Sequence, residues 1–251
     1  MKLYQICFSP TGGTRRAAEI VCSALGAQIE RIDLMQHVGP LLFSEEDLCL
    51  IAVPVYGGRV PEAALRGLRV MKGNGIPTVL MAVYGNRAAD DALLELRDEV
   101  YACGFHVIAA IEAVAAHSLF PEYGAGRPDA RDAAELSAFA GQIVQKLEEG
   151  TLSEPAHLPG HRPFRAYNGV PFQPKAGSRC TECGVCAREC PVQAIPRDEP
   201  RRVEKAKCIS CMHCVSSCPQ KARRVSGLLL RVGKRKLAEA CRERKFNRLY
   251  L

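Results

Sequence analysis

Short apolar runs alternate with amphipathic stretches over the first 150 residues. The runs Leu3–Phe8, Ile29–Leu34, Leu48–Val55, Ile76–Val83 and Phe105–Val114 are each of strand length, and most are continuously apolar. A strand covered on one face alternates, so continuous runs predict strands buried on both faces. Helical spacing falls between them at about 13–25, 61–70, 90–103 and 129–149. In the last segment Ala133, Leu136, Phe139, Ala140, Ile143, Val144 and Leu147 share one face, and Asp129 stands at the N-cap position. The alternation predicts an α/β domain over 1–150, a doubly wound five-stranded parallel sheet with helices on both sides. Such sheets bind ligands at the carboxyl ends of their strands.

The pattern then breaks. Residues 150–179 hold five Pro and four Gly, which predicts an extended linker over 151–179. A cysteine-rich repeat occupies 180–220, and the tail 221–251 starts irregular and turns helical around Gly233–Phe246. With 251 residues, one domain and a smaller companion are expected. The longest apolar stretch, Leu48–Tyr56, is nine residues and contains Pro54. That is far short of the roughly 18 needed to span a bilayer. A strand pattern from Lys2 leaves no room for a signal peptide, so a cytoplasmic chain is expected.

Charge divides the chain in the same way. Residues 1–150 carry 13 Lys+Arg against 19 Asp+Glu, residues 151–218 carry 10 against 6, and residues 219–251 carry 11 against 2. The overall +7 therefore comes mostly from the tail, which has three readings. It is a solvated helix packing Leu237 and Phe246, a docking surface for acidic redox partners, or a contact for anionic lipid or nucleic acid. No base-reading motif accompanies it, which argues against nucleic acid.

Of 13 cysteines, eight lie between Cys180 and Cys218. Cys180-x-x-Cys183-x-x-Cys186-x-x-x-Cys190-Pro191 recurs as Cys208-x-x-Cys211-x-x-Cys214-x-x-x-Cys218-Pro219. Two-residue gaps let three thiolates converge in a tight loop. Structural zinc pairs two cysteines with a distant second pair and fits two complete four-cysteine runs poorly. The runs resemble the bacterial ferredoxin motif, whose fourth cysteine ligates the other cluster. That resemblance implies one [4Fe–4S] cluster on Cys180, Cys183, Cys186 and Cys218, and another on Cys208, Cys211, Cys214 and Cys190. Cys7, Cys22, Cys49, Cys103 and Cys241 stand singly and read as small buried hydrophobes. His213 reads as a surface neighbour of a cluster.

After the first strand comes Ser9-Pro10-Thr11-Gly12-Gly13-Thr14, then a helix. Hydroxyls and open N–H groups at a helix N-terminus make an anion site, and by themselves they are also a plain helix cap. The loop resembles the flavodoxin loop that wraps the FMN phosphate. Pro54-Val55-Tyr56-Gly57-Gly58 follows the third strand, and Tyr84-Gly85-Asn86-Arg87 follows the fourth. The resemblance makes all of these residues FMN contacts. Tyr56 and Tyr84 would supply aromatic surface, and the Gly57–Gly58 peptides would rotate to meet the flavin N5–H.

Residues 1–220 together resemble the flavodoxin–ferredoxin fusion electron carriers of anaerobic bacteria and archaea. The likeness includes the connector from Arg162-Pro163-Phe164-Arg165 to Gly169-Val170-Pro171-Phe172-Gln173-Pro174-Lys175. It implies a flavodoxin-like sheet, a small α+β ferredoxin-like domain, FMN, two [4Fe–4S] clusters, and passage of low-potential electrons to or from redox proteins. The chain departs from the pattern in having no tryptophan, in Arg15 and Arg16 behind the phosphate loop, and in Arg59 near the ring. An FMN- and iron–sulfur-dependent reductase of quinones or nitro compounds is the second reading, with His117, Tyr56 and Asp90 as its proton donors. A redox-sensing regulator is the third. The electron-carrier reading assigns no catalytic residue, and a homodimer is compatible with it.

Overall fold

A computed structural model describes residues 2–26, 28–36 and 38–251. Five parallel strands form the sheet: β1 (Lys2–Cys7), β2 (Gln28–Asp33), β3 (Leu48–Pro54), β4 (Pro77–Tyr84) and β5 (His106–Val114). Every residue of β3 and β4 is buried, as their unbroken apolar runs require, whereas edge strand β2 is half exposed. Leu3 of β1 lies beside Ile29 on one side and Leu48 on the other, giving the order β2-β1-β3-β4-β5. This is the flavodoxin-like order.

Four helices cover the sheet: α1 (Gly13–Leu25), α2 (Glu62–Leu68), α3 (Ala92–Ala102) and α4 (Ala130–Glu148). On one face Ala17, Ala18 and Val21 of α1 pack with Leu136, Ala140 and Ile143 of α4. On the other, Leu65 and Leu68 of α2 join Leu93 and Leu96 of α3. Asp129 caps α4, accepting from the Arg131 and Asp132 N–H groups, while the Asp132 carboxylate accepts from Asp129 N–H.

Residues 151–174 contain no helix or strand and lie against the α/β domain as a strap. The Arg165 N–H donates to Asp91 Oδ2 at 2.7 Å and the His161 N–H to Asp91 Oδ1 at 3.0 Å. The cysteine segment follows, closed by a two-residue antiparallel ladder of β6 (Lys175–Ala176) and β7 (Arg223–Arg224). Its short helices are α5 (Val185–Arg188) and α6 (His213–Ser216).

The tail departs from its sequence pattern. Its helix α7 spans Gly227–Leu237, earlier than the Gly233–Phe246 stretch expected, and residues 238–243 form turns. The backbone there is captured from far away. Asn86 Nδ2 donates to the carbonyls of Cys241 and Glu243, both at 3.0 Å, and Asn86 Oδ1 accepts the Lys245 N–H at 3.1 Å. The chain then adds β8 (Arg248–Tyr250) antiparallel to β5, so the sheet has a sixth strand that no local pattern announces. β8 covers a long apolar edge that would otherwise stand open. Leu237 is half-buried, whereas Phe246 is 54% exposed with the Arg131 guanidinium over its ring.

Candidate functional site

The eight thiols of the two runs divide between two cavities. Cys180, Cys183, Cys186 and Cys218 line one cavity, and Cys190, Cys208, Cys211 and Cys214 line a second. The backbone around them is bent alike in both runs. Glu182 (φ 56°) and Gly184 (φ 73°) before Cys183 and Cys186 correspond to Ser210 (φ 54°) and Met212 (φ 63°) before Cys211 and Cys214. Left-handed residues among right-handed neighbours turn N–H groups to one side, forming a concavity suited to an anion. Three of these four are not glycine, so local strain is sustained at matching places in both runs.

Further donors reach the sulfurs. The Ala194 N–H donates to Cys190 Sγ and the Ala222 N–H to Cys218 Sγ, each at 3.3 Å, and Arg223 Nε donates to Cys186 Sγ at 3.1 Å. At Cys218 burial pushes the thiol up, but N–H groups from Ala222, Gln220 and Arg223 and the Arg223 charge more than offset it, so the pKa falls. Burial pushes the Cys211 and Cys214 thiols up to about 12. Their thiolates therefore need a cationic partner. Among the described residues, no three His, Cys, Asp or Glu side chains converge tightly enough to hold a single metal ion.

The first loop keeps its predicted form. Gly12 (φ 85°) caps α1 without a side-chain hydrogen bond, and α1 has no acidic residue in its first turn. Ser9 is buried, its Oγ accepting the Arg15 N–H at 2.9 Å, whereas Thr11 is exposed. The two loop arginines point elsewhere: Arg15 pairs with Asp33 at 2.8 Å, and Arg16 donates to the Arg127 carbonyl at 3.2 Å. The N-terminal N–H groups of α1 thus make an electropositive helix end on a cavity that Asp33 and Glu189 also line.

In the second loop Pro54 ends β3, and the Val55 N–H donates to the Val83 carbonyl at 2.9 Å, so both belong to the sheet. Tyr56 is half-buried beside Cys211 and Tyr167, and desolvation raises its phenol pKa. Gly57 (φ 60°) lies against the Tyr167 ring, where a Cβ would come within 2.2 Å. At Gly58 a Cβ would strike Asp90 at 2.3 Å. Arg59 forms a bidentate pair with Glu95 at 2.8 and 2.6 Å.

The third loop turns the other way. Tyr84 Oη donates to the Phe246 carbonyl at 3.2 Å, Asn86 holds the C-terminal backbone, and Arg87 pairs with Asp90. Gly85 lies against His117, where a Cβ would come within 2.8 Å. The side chains of Tyr84 and Asn86 bond the C-terminal segment, and that of Arg87 its own loop.

The cysteine segment meets the α/β domain at the first two loops. His213 Nδ1 donates to the Pro10 carbonyl at 2.7 Å and Ser216 Oγ donates to the same carbonyl at 3.3 Å. His213 thus spans both parts rather than facing solvent. It is the second run, Cys208–Cys218, that adjoins the phosphate-type loop and Tyr56. Tyr167 and Arg223 were not singled out by sequence. Tyr167 lies in the patternless strap, whereas aligning Cys190-Pro191-x-x-Ala194-Ile195 with Cys218-Pro219-x-x-Ala222-Arg223 exposes Arg223 as a break in the repeat.

The chain therefore joins a flavodoxin-like α/β fold to a small ferredoxin-like segment with two four-cysteine cavities. Residues 175–219 match the family described as a 4Fe-4S dicluster domain. A curated protein of Escherichia coli (strain K12), "Putative electron transport protein YccM", is 40% identical over 63 residues, 23% of this chain and 17% of that protein. This chain thus spans less than a fifth of that relative's length. Among solved structures, a flavodoxin of Streptococcus pneumonia TIGR4 is 19% identical, the match covering 57% of this chain and 99% of that one at a TM-score of 0.39. An NADH:FMN oxidoreductase (EMOB) in its apo form is 15% identical over 58% of this chain and 89% of that one, TM-score 0.44. Rubredoxin oxygen:oxidoreductase of Desulfovibrio gigas is 13% identical over 59% and 36%, TM-score 0.42. Likenesses this distant carry no functional argument, and the fold assignment rests on the strand order. No helix among the described residues is long and apolar enough to cross a membrane.

Proposed function

We propose that this protein is an electron carrier holding two [4Fe–4S] clusters and one FMN, exchanging electrons with redox proteins. The observation that carries the reading is the contact of His213 and Ser216 with Pro10, which joins a four-thiol cavity to the anion-binding loop. Clusters exchange electrons singly, and FMN, when bound, exchanges one or two.

Both sites fit their groups. Each cavity offers four thiols, inward N–H groups and N–H···S bonds, and Ser217 Oγ next to Cys218 is buried without a protein partner. Ser9, Gly12, Gly13 and Thr14 would hold the FMN phosphate at the α1 N-terminus, where Ser9 Oγ already accepts the Arg15 N–H. Tyr56, Gly57 and Tyr167 are the groups left to line the ring, because the third loop is spent on the C-terminal segment. Tyr56 and Tyr167 would exclude water there, and the strap from 151 to 179 would hold the two domains in register.

The groups named for a reductase are otherwise engaged. The Asp90 carboxylate pairs with Arg87 and Arg165. Burial pushes His117 down to about 4, so it is neutral near pH 7 and carries no proton to donate as a cation. Tyr56 is half-buried. Asp90 borders an open cavity, but its carboxylate there is engaged by Arg87 and Arg165, which favours carriage over small-substrate reduction.

Basic side chains suit acidic partners: Arg179, Arg188 and Arg201 rim the first cavity, and Lys234, Arg235 and Lys236 end α7. Anaerobic purification followed by reductive titration with visible and EPR spectra tests the function. About eight irons and one FMN per chain are expected. Iron without flavin removes the FMN part, and four or fewer irons removes the two-cluster part. Reduction of an acidic redox protein should slow as salt rises; salt-independent rates would discard the docking surface.

A further inference from the structure

The internal repeat is broken at one buried position. After Cys190 the chain reads Pro191-Val192-Gln193-Ala194-Ile195, and after Cys218 it reads Pro219-Gln220-Lys221-Ala222-Arg223. Gln193 and Lys221 share a left-handed backbone (φ 50° and 46°), and the Ala194 and Ala222 N–H groups make the same bond to sulfur. At the next position Ile195, 4% exposed, lines the second cavity, and Arg223, 3% exposed, lines the first. The same niche holds an aliphatic side chain in one half and a permanent cation in the other.

The Arg223 guanidinium makes three hydrogen-bonding contacts. Nε donates to Cys186 Sγ at 3.1 Å, Nη1 to the Pro174 carbonyl at 3.3 Å, and Nη2 to the Pro200 carbonyl. None of these acceptors is a carboxylate. A buried cation with only sulfur and carbonyl partners is costly unless an anionic body lies beside it. An iron–sulfur cluster on thiolates is such a body, and it gains negative charge on reduction. A fixed cation and an N–H···S bond both favour the reduced form and raise the potential. The Arg223 charge also reaches Cys208 and Cys214. The direct bond to Cys186 is what separates the two clusters. Exposed charges at the first cavity are mixed, since Arg188 Nη1 donates to the Cys183 carbonyl at 3.1 Å while Glu182 lines the cavity beside Arg201 at 4.0 Å, so the buried Arg223 sets the difference.

We propose that Arg223 makes the cluster of Cys180, Cys183, Cys186 and Cys218 the higher-potential one, so that electrons entering beside Pro10 and Tyr56 run through the other cluster to it. The inference rests on the two-cluster reading above. In the internal step one electron leaves the cluster of Cys190, Cys208, Cys211 and Cys214 and enters its neighbour. No bond forms or breaks and no proton moves. The exit then lies at exposed Cys183, inside the arginine rim.

Iron counting and proton NMR of the hyperfine-shifted cysteine Cβ protons, followed through a redox titration of the full-length protein, test the order. In the unmodified protein the signals of Cys180, Cys183, Cys186 and Cys218 should respond at the higher potential. Arg223→Ile, which copies the partner niche, should lower the reduced-to-oxidised ratio of that cluster at fixed potential about tenfold, equivalent to ~59 mV for one electron. Arg223→Lys should retain most of the difference. Eight irons with the opposite order, or an Arg223→Ile protein whose clusters shift equally or not at all, overturns the proposal while leaving the carrier reading intact. Should Arg223→Ile fail to assemble both clusters, the order in the unmodified protein and in Arg223→Lys decides the matter. Too few irons in the unmodified protein removes the two-cluster reading and this inference with it.

Discussion

The backbone N–H of Val114 donates to Asn247 Oδ1 at 2.9 Å, tying the end of β5 to a residue 133 positions later. Asn247 is 7% exposed, and its Nδ2 donates to Asp132 Oδ1 at 3.0 Å and Glu135 Oε2 at 2.8 Å. One amide thus anchors the C-terminal segment to both β5 and α4. Asn247→Ala strands a buried N–H and should cost about 2–4 kcal/mol, read by urea denaturation of the full-length protein. Asn247→Asp should cost more, since it sets a third carboxylate beside Asp132 and Glu135.

The neighbouring Arg127–Asp132 pair is buried, with side-chain exposures of 3% and 0%, and Arg127 Nε donates to Asp132 Oδ2 at 2.9 Å. Asp132→Asn leaves buried Arg127 without a carboxylate and should cost about 3–5 kcal/mol, whereas Arg127→Met leaves Asp132 with Arg244 at 3.2 Å and should cost less. The double variant should cost less than the sum, which a double-mutant cycle measures directly. Burial opposes ionisation of Asp132, but bonds from Arg127, Asp129 and Asn247 win and hold its pKa below the ordinary value. Its stabilisation is therefore full above the unfolded carboxylate range and lost as pH falls through the folded value.

His117 has the opposite cause and the same sense of pH dependence. Burial first, and then the Arg87 charge, lower its pKa from 6.5 to about 4. Between those values the unfolded chain binds a proton that the folded chain does not, so stability should decline as pH drops from about 6.5 to 4. The full effect is on the order of 3 kcal/mol. His117→Gln should flatten this part of the stability–pH profile; an unchanged slope would show that another group is responsible.

Cys190→Ser should disturb the cluster held by the second run, and Cys218→Ser the cluster held by the first. Mössbauer and EPR spectra of each variant report which cluster changes. A loss confined to the mutated cysteine's own run would contradict the pairing of Cys190 with Cys208, Cys211 and Cys214.

His213→Ala removes one of the two side-chain bonds to the Pro10 carbonyl without touching a thiol. Iron and flavin contents should hold, while flavin-to-cluster transfer after flash reduction should slow several-fold. An unchanged rate would mean that this contact does not set the electron path.

The cysteine spacing and the five apolar runs were legible because each depends on neighbours close in sequence. Period and run length report which faces of a strand or helix are buried, and two-residue gaps report loop geometry around a common centre. Asp129 at its cap and Gly12 at the start of α1 were legible for the same reason. The partners of Tyr84 and Asn86 were not legible, because Phe246, Cys241 and Glu243 lie more than 150 positions away.

Sequence by itself determined the α/β alternation, the strands and helices of the first 150 residues, and two thiol sets of the iron–sulfur type. Those features follow from local periodicity and spacing, whatever the remote chain does. Tertiary structure alone decided that β8 completes the sheet, that helix α7 stops at Leu237, and that Tyr167 lies on Gly57. It also decided that the second cysteine run faces the phosphate-type loop and that Arg223 takes the place of an aliphatic residue beside one cavity. Each of these is a contact between segments far apart in the chain, selected by which buried donors and open edges remain once the local elements have packed.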